Sequence, residues 1–198
     1  MSPSPHGKQA PADKTTWHLQ RCDGFLDLGM RAQARAELAA VPESDRTTVA
    51  YLRLLLRLSI EEENWPEGMR LASELRAKDP TDPTFVIQLA YSTRRAKGIA
   101  SAELVLRSAQ RTFPKVALIY FNLSCYACQM DGRRDDALFY IAKAIALEPA
   151  LYQTALEDED LRPIWPDIEA CRASGLLVRR LTPGRPSGII IPAQSEEW

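Results

Sequence analysis

The sequence predicts an all-α fold built from stacked helical hairpins, and three observations carry that prediction. Small residues recur at Ala34, Gly68, Ala102 and Ala137, in steps of 34, 34 and 35. Residues four and seven positions further on keep the same steps: Leu38, Ala72, Leu106 and Ile141, then Val41, Leu75, Ala109 and Ala144. Pro80, Pro114 and Pro149 close the last three units. Spacing of i, i+4, i+7 lines one narrow face of a helix, and a proline shortly after it stops the helix. A period of this length marks a repeat fold in which each unit buries its apolar face against its neighbour.

The units follow in order. Residues 16–45 form the first, with a turn at Leu28-Gly29 and Pro42 ending its second helix early. In the second, residues 46–81, Leu52, Leu55, Leu56 and Ser59 give the first helix its core face. Glu63-Asn64 and then Pro66 turn the chain into the second helix. Asp79-Pro80-Thr81-Asp82-Pro83 joins this unit to the next, with Asp82 placed to cap and Pro83 to open a helix. The third unit, 82–115, has Val86, Leu89, Ala90 and Thr93 on its first helix and Lys97-Gly98 at its turn. The fourth, 116–150, repeats the pattern with Tyr120, Leu123, Ser124 and Ala127, then Asp131-Gly132 at its turn.

Beyond the repeats the spacing predicts a capping helix over 163–174, preceded by the acidic run Glu157 to Asp160. Residues 1–15, with Pro3, Pro5 and Pro11, read as a disordered tail. Residues 175–198 read as an extended tail, whose Ile189-Ile190-Ile191 favours a strand-like conformation. That tail either folds back over apolar surface or adds to a partner's sheet edge.

These residues resemble the tetratricopeptide repeat, a 34-residue helix-turn-helix unit. The nearest match is Tyr120-Phe121-Asn122-Leu123-Ser124-Cys125-Tyr126 followed by Gly132, Ala137, Ala144 and Pro149, and the likeness spans about 16–165. Two positions depart from it: Arg21 stands where the family prefers Leu, and Leu56 where it favours a small residue. The resemblance implies a right-handed α-solenoid whose first helices line a concave groove that holds a peptide or partner helix.

On that reading the groove residues lie on each first helix away from its stacking face. They are Arg53 and Arg57 in the second unit, Ile87, Tyr91 and Arg94 in the third with Arg95 beside them, and Leu118, Phe121 and Cys125 in the fourth. The groove is expected to be basic in its N-terminal half and apolar towards its C-terminal half. Arg53 and Arg57, one turn apart, are relieved either by a ligand carboxylate or by the chain's own Glu61. Tyr91 and Phe121 are either binding anchors or covered by the tail. The family's carboxylate clamp is not expected: Asn122 fits it, but Leu54 and Gln88 stand at the corresponding positions of the two preceding units.

Composition narrows the function. With 25 basic and 26 acidic residues the net charge is -1, which argues against a surface built to track phosphates. Arg172, Arg179, Arg180 and Arg185 make only a modest cluster, so no nucleic-acid partner is expected. No apolar run suffices for a membrane span, and residues 1–15 lack the apolar segment of a secretory signal. Four scattered cysteines fit a reducing, cytoplasmic setting. Cys125 and Cys128 form a CxxC inside a helix with no second pair or histidine nearby, which favours packing over metal or redox work. No GxSxG, GxxxxGK[ST] or GxGxxG is present. The expectation is a non-enzymatic adaptor without metal or cofactor, binding a protein or peptide partner. The alternatives are a dedicated chaperone for a secreted or assembly client and a structural subunit of a constitutive complex.

Overall fold

The computed structural model describes residues 14–173, and among them there are helices and turns but no strand. In chain order the helices are α1 (Lys14–Asp27), α2 (Arg31–Ala40), α3 (Val49–Glu61), α4 (Trp65–Lys78), α5 (Pro83–Lys97), α6 (Ile99–Thr112), α7 (Ala117–Cys128), α8 (Arg134–Leu147), α9 (Leu151–Glu157) and α10 (Trp165–Ala173). Short 3₁₀ turns occupy Glu43–Asp45 and Glu159–Ile164. The chain divides into two compact units, Met1–Ala102 and Glu103–Trp198, and α6 runs through the boundary.

Two expected boundaries move. Helix α1 starts before residue 16, because Thr15 is buried and its hydroxyl donates to the Asp45 carboxylate, which fixes the first turn. The capping helix starts at Trp165 rather than 163, since Pro163 sits in the preceding 3₁₀ turn. Of the expected tails at 1–15 and 175–198, residues 14 and 15 belong to α1, and the rest, including Ile189–Ile191, lie outside the described residues.

The turns carry the repeat in their backbone. Residues with left-handed φ fall at Gly29 (+68°), Glu63 (+57°), Gly98 (+88°) and Gly132 (+71°), in steps of 34, 35 and 34. Each lies between the two helices of one predicted hairpin. Three are glycine, the residue that adopts this conformation without a Cβ clash, and the second unit does it with a glutamate.

In the first unit α1 packs on α2, α3 on α4, and α4 on α5. The helix starts are capped as their residue types dictate. Thr48 accepts from the Tyr51 N–H, Asn64 from that of Glu67, and Asp82 from that of Thr84 at 2.8 Å, with Pro83 in the first turn. The core combines Cys22, Leu26, Leu38, Leu52, Leu56, Leu71, Leu75 and Phe85. Burying each leucine or phenylalanine removes enough apolar surface for about 1.5–3 kcal/mol. Gly68 marks a close approach of α4 to α5: a Cβ there would stand 2.8 Å from Ser92 Oγ. Ser92 is itself buried, and its hydroxyl has no hydrogen-bond partner among the described residues.

In the second unit α7 packs on α8, and the turn Glu159–Ile164 packs on α7. Tyr120, Tyr126 and Tyr140 fill its interior. The Tyr120 hydroxyl donates to the Pro114 carbonyl at 3.1 Å, and the buried Ser124 hydroxyl donates to the Ala137 carbonyl at 2.7 Å. The Trp165 indole N–H closes the C-terminal end by donating to the Ala155 carbonyl at 2.9 Å. Opposite charges are enclosed as well: Arg133 reaches Glu103 and Asp136, both at 2.7 Å, and Arg107 reaches Glu103 at 2.7 Å. Burial pushes the Glu103 carboxyl up, but the hydrogen bonds from Arg133 and Arg107 outweigh it and hold the group below the ordinary glutamate range.

All three sequence series are buried. Ala34, Gly68, Ala102 and Ala137 are enclosed, as are the apolar positions four and seven residues after each.

Candidate functional site

On α3 the chain's own acids have the stronger claim on Arg57. Its guanidinium meets Asp23 at 2.9 Å, Asp27 at 2.8 Å and Glu61 at 3.3 Å. Asp23 lies 34 residues before Arg57, so the repeat register itself brings α1's acids beside α3. Of the two readings of Arg57, these contacts favour pairing by the chain's own acids over a ligand carboxylate. Arg53 stands 3.8 Å from the Asp82 carboxylate, with its guanidinium carbon 5.6 Å from the Phe85 ring centroid. Two arginines thus face four carboxylates, and α3 does not present the surplus positive charge that the sequence suggested.

The third predicted group keeps an open face. Ile87, Tyr91 and Arg94 are half-buried along one stripe of α5, turned about a quarter of the way round from the buried Val86, Ala90 and Thr93. Tyr91 meets Trp65, the first residue of α4, edge to face with ring centroids 5.8 Å apart. The exposed Arg95 guanidinium lies over both rings, 5.4 Å from the Tyr91 centroid and 5.7 Å from that of Trp65. Sequence reasoning passed over Trp65. Its signal was a tryptophan directly after a turn, where a helix start leaves one side of the ring near the next hairpin.

On α7 only one of three predicted residues is accessible. Leu118 is 45% exposed, but Phe121 is 6% and Cys125 3% exposed. Neither Phe121 nor Cys125 is an open groove residue, and that expectation is corrected. The cause for Cys125 is the second 3₁₀ turn: its thiol lies 3.7 Å from an Asp158 carboxylate oxygen, and Gln129 donates to the Asp160 carbonyl at 2.9 Å. Asn122, the one residue matching a carboxylate clamp, donates its amide to the Leu118 carbonyl of its own helix at 2.8 Å.

The same turn brings together a thiol and two acids that sequence reasoning kept apart. Ligand atoms of Cys125, Asp158 and Asp160 all lie within 4.8 Å of one another. Asp158 uses its other oxygen to cap the turn, accepting from the Asp160 N–H at 2.9 Å. Burial pushes the neighbouring Cys128 thiol up, and it pushes Cys22 up to about 11, so both favour the protonated and poorly nucleophilic form.

Among the described residues no helix is long and apolar enough to cross a membrane. No family model matches this chain, and a search of curated proteins returned no match.

Proposed function

We propose that the chain is a non-enzymatic interaction module built from tetratricopeptide-like helical hairpins, which binds a protein or peptide partner along the half-open stripe of α5. One observation carries this reading: an aliphatic, an aromatic and a cationic side chain, Ile87, Tyr91 and Arg94, recur at i, i+4, i+7 outside the core face of one helix. Stripes of this composition match the residue types that dominate binding energy in protein interfaces. The hairpin identity draws its support from the left-handed turn residues spaced 34 to 35 apart and from the burial of every member of the three sequence series.

The corresponding experiment is affinity purification from native lysate with wild type and with Ile87→Asp/Tyr91→Asp, after both are shown to be equally helical. A partner held by wild type and lost by the variant supports the α5 stripe. A partner retained by both removes it.

A further inference from the structure

We propose that Arg95, held across Trp65 and Tyr91, anchors a carboxylate of an acidic peptide segment; this deepens the α5 reading and rests on it. A guanidinium is a flat cation with donors around its edge and weakly hydrated faces. Here the carbon sits 5.4 Å and 5.7 Å from two ring centroids, and the rings come from different helices, α5 and α4. Cation–π attraction to two rings set nearly at right angles restrains the group, and neither ring accepts its N–H donors as a carboxylate would.

The other arginines of this unit give the contrast. Arg21, Arg35, Arg53, Arg57 and Arg70 each pair with a carboxylate of the chain, and Arg46 donates to the Val41 and Ala39 carbonyls. Arg31 and Arg76, like Arg95, meet no carboxylate among the described residues but are not held over a pair of rings from two helices. The neighbours of Arg95 in the last turn of α5, Arg94 and Lys97, are also cationic. A helix C-terminus accounts for basic residues in that turn through its dipole. It does not account for an indole and a phenol converging beneath one guanidinium. The charge and the planar donor edge are complementary to a carboxylate, while Ile87 and Tyr91 offer an apolar flank to the side chain beside it.

The experiment selects random dodecapeptides displayed on phage against the full chain, then measures the recovered sequences as labelled synthetic peptides by fluorescence anisotropy. Recovered sequences are expected to be rich in Asp and Glu beside an apolar residue. Arg95→Gln, with wild-type helicity and melting, is expected to weaken them at least about tenfold, as loss of a charge-assisted pair requires. Arg95→Lys keeps the charge without the planar fork and is expected to fall between. Peptides without acidic bias, or equal affinity for Arg95→Gln, overturn the anchor. If those same peptides still depend on Ile87 and Tyr91, the α5 reading survives without it. If no sequence is enriched over a blank surface, both readings fall. Tighter binding of a ten-nucleotide oligo(U) RNA that is lost in Arg95→Gln also overturns the proposal, because the group would then read phosphate.

Discussion

Helices α5 and α7 occupy the same register of the repeat, one period apart, yet they meet their surroundings differently. Nine of the twelve residues of α7 are buried against five of the fifteen in α5, so α7 is enclosed on nearly every side while α5 keeps an open stripe. The residue types differ in step: α7 reads Ala-Leu-Ile-Tyr-Phe-Asn-Leu-Ser-Cys-Tyr-Ala-Cys, whereas α5 carries Arg94, Arg95 and Lys97 in its last turn. A shared period therefore fixes which side of a helix carries its buried small and apolar residues. What lies against the remaining side is decided separately, and for α7 that includes the turn Glu159–Ile164.

The largest effect tests this contrast directly. Phe121→Ala on α7 should cost about 3–4 kcal/mol in denaturant unfolding, the range for truncating an enclosed aromatic. Tyr91→Ala on α5 should cost about 1 kcal/mol, since a half-buried ring leaves a smaller void. Equal costs for the two would break the comparison.

A smaller effect comes from the enclosed charges near α8. Glu103→Gln should lose about 2 kcal/mol at neutral pH, because it leaves Arg133 and Arg107 short of an anionic partner. The native carboxyl titrates below its unfolded counterpart, so its contribution is complete above the ordinary glutamate pKa of about 4.3 and fades as pH falls through the lower native value. Wild type should accordingly lose more stability than Glu103→Gln when unfolding is measured at pH 7 and again at pH 3. A wild-type loss no larger than the variant's would remove the ion network as a source of acid sensitivity.

On the open side the charges are exposed and the effects should shrink. Arg57→Ala should change stability by less than about 1 kcal/mol, with the difference narrowing between 0.05 and 1 M NaCl as salt screens the pairs. A larger, salt-independent loss would show that the three acids around Arg57 form a structural clasp. Smallest of all is Glu63→Gly. It relieves a left-handed residue in the one hairpin turn that lacks glycine, and should raise stability by about 0.5 kcal/mol. A loss would mean the glutamate side chain holds that turn.

The helices, their turns and the buried series were legible in the sequence because burial and chain reversal act on residue types at fixed spacing. Ala34, Gly68, Ala102 and Ala137 show it: each must be small where helices approach closely, and Gly68 lies against Ser92. The surface was less legible. Arg57 looks available when only its own helix is considered, but Asp23 and Asp27 come from another. Cys125 looks like a groove residue until the chain beyond the repeats is folded, and the acid that lies against it, Asp158, is 33 residues away. Trp65 was passed over for the same reason: its partner Tyr91 belongs to the next hairpin. Local pattern determines what a helix buries against its immediate neighbour, whereas exposure depends on elements that share no pattern with it.

The left-handed residues at 29, 63, 98 and 132 also bear on how fast the chain acquires its shape. Those at 29, 63 and 132 join helices that pack on each other, α1 on α2, α3 on α4 and α7 on α8, so these partners meet after loop closures that take tens of nanoseconds rather than after long searches. Pairings this local in sequence belong to the rapid end of folding kinetics, where helical proteins complete the process in microseconds to milliseconds. Slowing one reversal, for instance by placing a β-branched residue at Gly132, would be expected to delay that hairpin while leaving closure of the others untouched.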